Sequence, residues 1–73
     1  MNKYLVEYEV IKDGQKKIET GSWETTDDQE ALEDYRSFQG KCAVLSNAHT
    51  SSSRFVTIGC FRISEDGSRT KID

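Results

Sequence analysis

Apolar and polar residues alternate over residues 3–11. Tyr4, Val6, Tyr8 and Val10 point one way, and Glu7 and Glu9 the other, with Leu5 and Ile11 at the ends of the run. Period-two alternation rich in aromatic and β-branched residues predicts a half-buried strand. Lys12-Asp13-Gly14-Gln15 follows, and Asp-Gly suits a tight hairpin because glycine supplies positive φ. A second strand is expected from about Lys16 to Thr25. Two registers fit it. A two-residue turn sets Trp23 opposite Tyr4, whereas a three-residue turn with a bulge at Gly14 sets Ile18 opposite Tyr8.

The period then changes. Thr26-Asp27-Asp28-Gln29 reads as a helix start. Thr26 is the expected cap, Gln29 reaches back, and the two aspartates favour the positive end of the helix dipole. Ala31, Leu32, Tyr35 and Phe38 recur at helical spacing, while Asp27, Glu30, Glu33 and Asp34 cover much of the opposite side. Gly40 stands where a left-handed stop belongs, which predicts a helix over 27–39. A third strand is expected at 41–47, with Cys42 and Val44 on one face and Ala43 and Leu45 on the other. A polar loop from Asn47 to Ser53 leads to a fourth strand at 54–64, apolar on both faces. Phe55, Phe61 and Ile63 take one face, and Val56, Ile58 and Cys60 the other. Glu65-Asp66-Gly67-Ser68 is a further hairpin signal, and Arg69–Ile72 either adds a short edge strand or frays. The expected fold is α+β: one domain over 1–73, with an antiparallel sheet of four to five strands in the order β-β-α-β-β. One helix covers one sheet face.

Size and charge narrow the function. A chain of 73 residues buries only about 60% of its unfolded surface, which leaves no room for a deep substrate cleft. There is no run of about 18 apolar residues to span a membrane, and Met1-Asn2-Lys3-Tyr4 lacks the apolar stretch of a secretory signal. A cytoplasmic protein without a membrane partner is expected. Ten basic residues face thirteen acidic ones, for a net charge of −3, which argues against a simple nucleic-acid coat. The acids are concentrated. Glu24, Asp27, Asp28, Glu30, Glu33 and Asp34 form a stretch with no base, so the rest of the chain carries +3.

The inventory for chemistry is thin. His49 is the only histidine, and Ser51–Ser53 lie too close to it in sequence to suggest a catalytic arrangement. Cys42, Cys60 and His49 lack the spacing of a zinc site, and the acids lack the glycine and terminal glutamate of a calcium loop. No enzyme activity, cofactor or metal is expected. Without a secretory signal, Cys42 and Cys60 are expected to be reduced buried thiols rather than a disulfide. Two surface readings remain. Lys12, Lys16 and Lys17 flank a hairpin tip that could enter a nucleic-acid groove, with Tyr4, Tyr8, Trp23, Phe55 or Phe61 stacking on bases if exposed. Against this, a chain with seven aromatics needs most of them in its core, and the acidic helix repels phosphate. The second reading is the acidic face itself: Asp27, Glu30, Glu33 and Asp34 as a site for a basic partner surface, where charge complementarity speeds association.

The run Tyr4-x-Val6-x-Tyr8-x-Val10, the Asp-Gly turn, Thr26-Asp27-Asp28-Gln29-Glu30-Ala31-Leu32 and the second hairpin resemble small proteins of phages and mobile elements of the anti-CRISPR type. The resemblance covers the order of elements over most of the chain. It implies a short sheet with one helix, no catalytic motif, and stoichiometric binding to a host complex, in some cases by an acidic surface occupying a nucleic-acid channel. It assigns no binding residue; those named above come from the residues themselves. The expected function is a non-enzymatic module that inhibits a host nucleic-acid-handling, CRISPR-like complex. The partner is then a host protein or ribonucleoprotein complex. The alternatives are a nucleic-acid binder using the basic hairpin, and a protein that self-associates as a homodimer through its open sheet face or an edge strand.

Overall fold

A computed structural model describes residues 1–47 and 53–73. Strands β1 (Asn2–Lys12) and β2 (Gln15–Thr25) pair antiparallel without interruption, from Asn2 opposite Thr25 to Lys12 opposite Gln15. Their turn is two residues long, and both are left-handed: Asp13 at φ 53° and Gly14 at φ 79°. This primed geometry follows the twist of the flanking strands, and Asp-Gly tolerates it at small steric cost. The short turn selects the first of the two registers, with Trp23 opposite Tyr4. Ile18 consequently faces Glu9 and is 53% exposed.

The helix α1 spans Asp28–Asn47 and departs from expectation at both ends. Its cap is Asp27, not Thr26. The Glu30 amide donates to Asp27 Oδ1 at 2.9 Å, and the Ala31 amide donates to the Asp27 carbonyl at 3.0 Å. At the other end the helix does not stop at Gly40. It continues through the segment expected as a third strand, so 41–47 is helical. The reason lies in spacing. Cys42 follows Ala31, Tyr35 and Phe38 on the same stripe, and it is buried with Ala31 and Tyr35. Alternation over so few residues is weaker than that continuing stripe, and Ala43 and Leu45 are good helix formers. Gly40 keeps an ordinary helical φ, since only Gly14 and Gly67 among the described glycines are left-handed.

Strand β3 (Ser53–Ile63) pairs antiparallel with β1, and β4 (Arg69–Lys71) pairs with the end of β3, so the described residues form a sheet in the order β2-β1-β3-β4. The sheet has four strands because the tail supplies the strand that 41–47 does not. A bulge interrupts the β1–β3 ladder. Glu7 faces Gly59 and Tyr8 faces Thr57, leaving Ile58 as the extra residue. The extra residue reverses the alternation, so Phe55 lies opposite Val10 and Val56 opposite Glu9. Phe55 therefore does not share a face with Phe61 and Ile63. Beyond β4 the chain hugs β3: Cys60 donates its amide to the Asp73 carbonyl at 2.9 Å. Gly59 permits this approach, because a Cβ there would lie 3.3 Å from that same oxygen.

The core lies between α1 and one sheet face. Val6, Tyr35 and Cys60 form its centre, with Tyr8, Trp23, Phe38 and Ile72 packed around them. Tyr8 and Phe38 meet edge to face at 5.2 Å between ring centroids. No helix among the described residues is long and apolar enough to cross a membrane.

The extended helix makes a prediction about Gly40. A Cβ at this position meets nothing within 4 Å and the backbone is not left-handed. Gly40→Ala is expected to stabilise the protein by about 0.5–1 kcal/mol, raising Tm by a few degrees. A left-handed helix stop at Gly40 would give a loss instead, so a thermal melt decides the sign.

Candidate interaction surfaces

The acidic segment divides into residues that hold the fold and residues that face solvent. Asp28 turns inward from the first turn of α1. Tyr4 donates its hydroxyl to Asp28 Oδ1 at 2.8 Å, and Arg62 donates to Asp28 Oδ2 in a close ion pair. Tyr4 and Arg62 face each other across the β1–β3 ladder, so one carboxylate ties the helix start to both central strands. Nothing in the local pattern separates Asp28 from its neighbours except that helical spacing leaves it out of the solvent-facing set of Asp27, Glu30, Glu33 and Asp34. Burial pushes the Tyr4 phenol above its ordinary value. The Asn2 amide and the Arg62 charge oppose that shift, and Asp28 adds to it.

Asp27, Glu30, Glu33 and Asp34 are exposed, as the helical spacing predicts. They are not equivalent. Asp27 spends one oxygen on the helix cap, and Asp34 accepts the Trp23 indole N–H at 3.1 Å. Glu30 and Glu33 make no side-chain hydrogen bond to the described residues. None of the four is in an ion pair there; the ion pairs are Arg62–Asp28, Lys17–Glu19 and Arg69–Glu7. The face is thus a negative patch, free of ion pairs to the described residues, at the cap and on the first two turns of the helix.

The lysine hairpin is also exposed at Lys12, Lys16 and Lys17, although Lys17 pairs with Glu19 at 3.4 Å. The aromatics do not join it. Tyr4 is fully buried, Tyr8 and Trp23 pack against the core, and pairing places Phe55 on the same side as Val10. Phe61 alone of the five candidates lies on the sheet face away from α1, where the Arg69 guanidinium sits 5.9 Å over its ring. That open face alternates apolar and charged residues. Near its upper end an open concavity of about 490 Å³ is lined by Lys3, Leu5, Glu24, Ile63 and Arg69, among others. Ile18, Val56 and Ile58 are between 41% and 53% exposed. This exposure follows from the hairpin register and the bulge, neither of which the residue pattern determines.

Cys42 and Cys60 are free and buried, Cys42 on the helix rather than on a strand beside Cys60. Burial raises both thiols, and the charges of Asp73 and Asp28 raise Cys60 further. Among the described residues no group of three or more histidines, cysteines or acids could hold a metal ion. His49, Thr50, Ser51 and Ser52 lie outside the described residues. No family model matches the chain, and no curated protein or solved structure does either.

Two predictions concern Asp28 and the buried thiols and phenol. Asp28→Ala removes the acceptor of both Tyr4 and Arg62, and should cost about 1–3 kcal/mol in a urea melt. Asp28→Asn keeps an acceptor for Tyr4 and should cost less. The second concerns pH. The folded state holds the protons of Cys42, Cys60 and Tyr4 more tightly than the unfolded chain. Their contribution is therefore complete below the ordinary thiol and phenol values, 9.0 and 10.0. It is lost as pH rises through those values toward the raised folded ones. The urea midpoint should fall on alkaline titration, and Tyr4→Phe should lessen the fall above the phenol value.

Proposed function

We propose that this protein is a non-enzymatic binding module that presents Glu30 and Glu33, flanked by Asp27 and Asp34, to a basic surface of a host protein or ribonucleoprotein complex. One observation carries the reading: Asp27 at the cap and Glu30, Glu33 and Asp34 on the first two turns of α1 are exposed, and none of the four forms an ion pair with a described cation. Two of them are positioned by the fold itself, through the cap at Asp27 and the Trp23 contact at Asp34. A rigid negative patch of this kind complements a groove that otherwise grips phosphates. The resemblance of the element order to proteins of the anti-CRISPR type supports, as the partner, a cytoplasmic host complex that handles nucleic acid, with inhibition as the outcome. The nucleic-acid alternative is weaker, because the aromatics that would stack on bases lie on the helix side of the sheet, Phe61 excepted.

The test is a pull-down from host lysate with and without nuclease, followed by titration against the recovered complex. A nuclease-resistant complex is expected. The double reversal Glu30→Lys/Glu33→Lys should weaken it at least tenfold and flatten its salt dependence, at a stability cost of about 1 kcal/mol from the cation placed in the first helical turn. Lys12→Glu should leave the affinity unchanged. A partner set that disappears with nuclease, or an affinity indifferent to the double reversal, overturns the proposal.

A further inference from the structure

The outer edge of β2 is unpaired among the described residues and runs the full length of the strand, Gln15–Thr25. Its backbone groups can be assigned from the turn. A two-residue hairpin makes Lys12 and Gln15 a hydrogen-bonded pair, so the odd-numbered residues of β2 turn their N–H and C=O toward β1. Lys16, Ile18, Thr20, Ser22 and Glu24 then turn theirs outward, and all five side chains are exposed. Long free edges invite pairing, and proteins usually blunt them with bulges, prolines or inward charges. This edge has no bulge and no proline, and its two inward-side charges, Lys17 and Glu19, pair with each other at 3.4 Å. Its ladder with β1 runs without a register shift, whereas the β1–β3 ladder has one, and the chain contains no proline.

The strand is also self-complementary. We infer that β2 pairs antiparallel with β2 of a second copy of this chain about a two-fold axis at Thr20, joining two sheets into one. In that register Lys16 faces Glu24 of the second copy and Glu24 faces its Lys16. Ile18 faces Ser22, and Thr20 faces itself. On the helix side Lys17 faces Trp23, and Glu19 faces Gly21. The pairing covers all of Gln15–Thr25. Neighbouring registers are worse. An axis at Glu19 sets that acid against its own copy, and an axis at Gly21 sets Ile18 against Glu24 and leaves Lys16 unpaired. The helix packs chiefly on β3 and reaches β2 through the Trp23 side chain on the sheet face, which leaves the backbone edge of β2 without a partner among the described residues. The inference stands on β2 and does not depend on the acidic helix face.

Sedimentation equilibrium up to high micromolar concentration tests it. The expected species at high concentration has twice the chain mass. Lys16→Glu or Glu24→Lys alone should weaken the dimer about tenfold, since each change converts two symmetric attractions into repulsions. Lys16→Glu with Glu24→Lys in one chain should restore it. Thr20→Pro should abolish it, because the lost N–H points outward and proline is tolerated on an edge strand. If that variant fails to fold, the charge swap decides. Glu30→Lys/Glu33→Lys should leave the dimer intact. A monomer at every concentration overturns the inference, as does a dimer indifferent to the single charge reversals.

Discussion

The Asp28 carboxylate holds three elements at one point. It receives the Tyr4 hydroxyl from β1 and the Arg62 guanidinium from β3, and it belongs to the first turn of α1. Those partners are 24 and 34 residues away along the chain. The contact therefore fixes where the helix begins relative to the sheet. From there the stripe through Ala31, Tyr35 and Cys42 is laid along the inner face. A core this small has little redundancy: its centre is one valine, one tyrosine and one cysteine. A half-exposed charged contact at the helix start matters more in such a molecule than in a larger one, because apolar burial leaves only a thin margin.

The helix start also determines how the acidic segment is divided. With Asp27 fixed as cap and Asp28 turned inward, the solvent side falls to Glu30, Glu33 and Asp34. Trp23 then reaches Asp34 from the neighbouring strand while stacking at a tilt on Tyr4, 5.9 Å between ring centroids. The same indole thus supports both the core and the rim of the acidic patch. What is left unengaged is Glu30 and Glu33, and this subtraction points to them as the residues free to meet a partner.

The class of fold was legible in the pattern, and so were the hairpin, the helix stripe and the exposed acids. Three features were not, each for a physical reason. The helix runs past Gly40 because an exposed glycine with space around it is tolerated in a helix, and the burial of Cys42 outweighs its local preference. The faces of β3 invert at Ile58 through a bulge, which has no reliable signal in one sequence although it decides on which side of the sheet Phe55 lies. The inward turn of Asp28 depends on Arg62, which no local rule connects to it. Register was an open choice between two turns, and the φ values of Asp13 and Gly14 settle it.

The two ends of the sheet are finished differently, and that asymmetry bears on association. At one end β4 is short, carries Arg69 and Lys71, and is followed by a tail bonded to Cys60, so together they cover residues 60–63 of β3. Arg69 is further engaged by Glu7 at 3.8 Å and by the Phe61 ring. At the other end β2 is long and regular, and its outward residues carry opposite charges near opposite ends of the strand, Lys16 and Glu24. A strand with opposite charges near its two ends repels a parallel copy in register and attracts an antiparallel one. That polarity favours a closed pair over an open stack, because a two-fold contact consumes both free β2 edges and leaves none to extend the sheet.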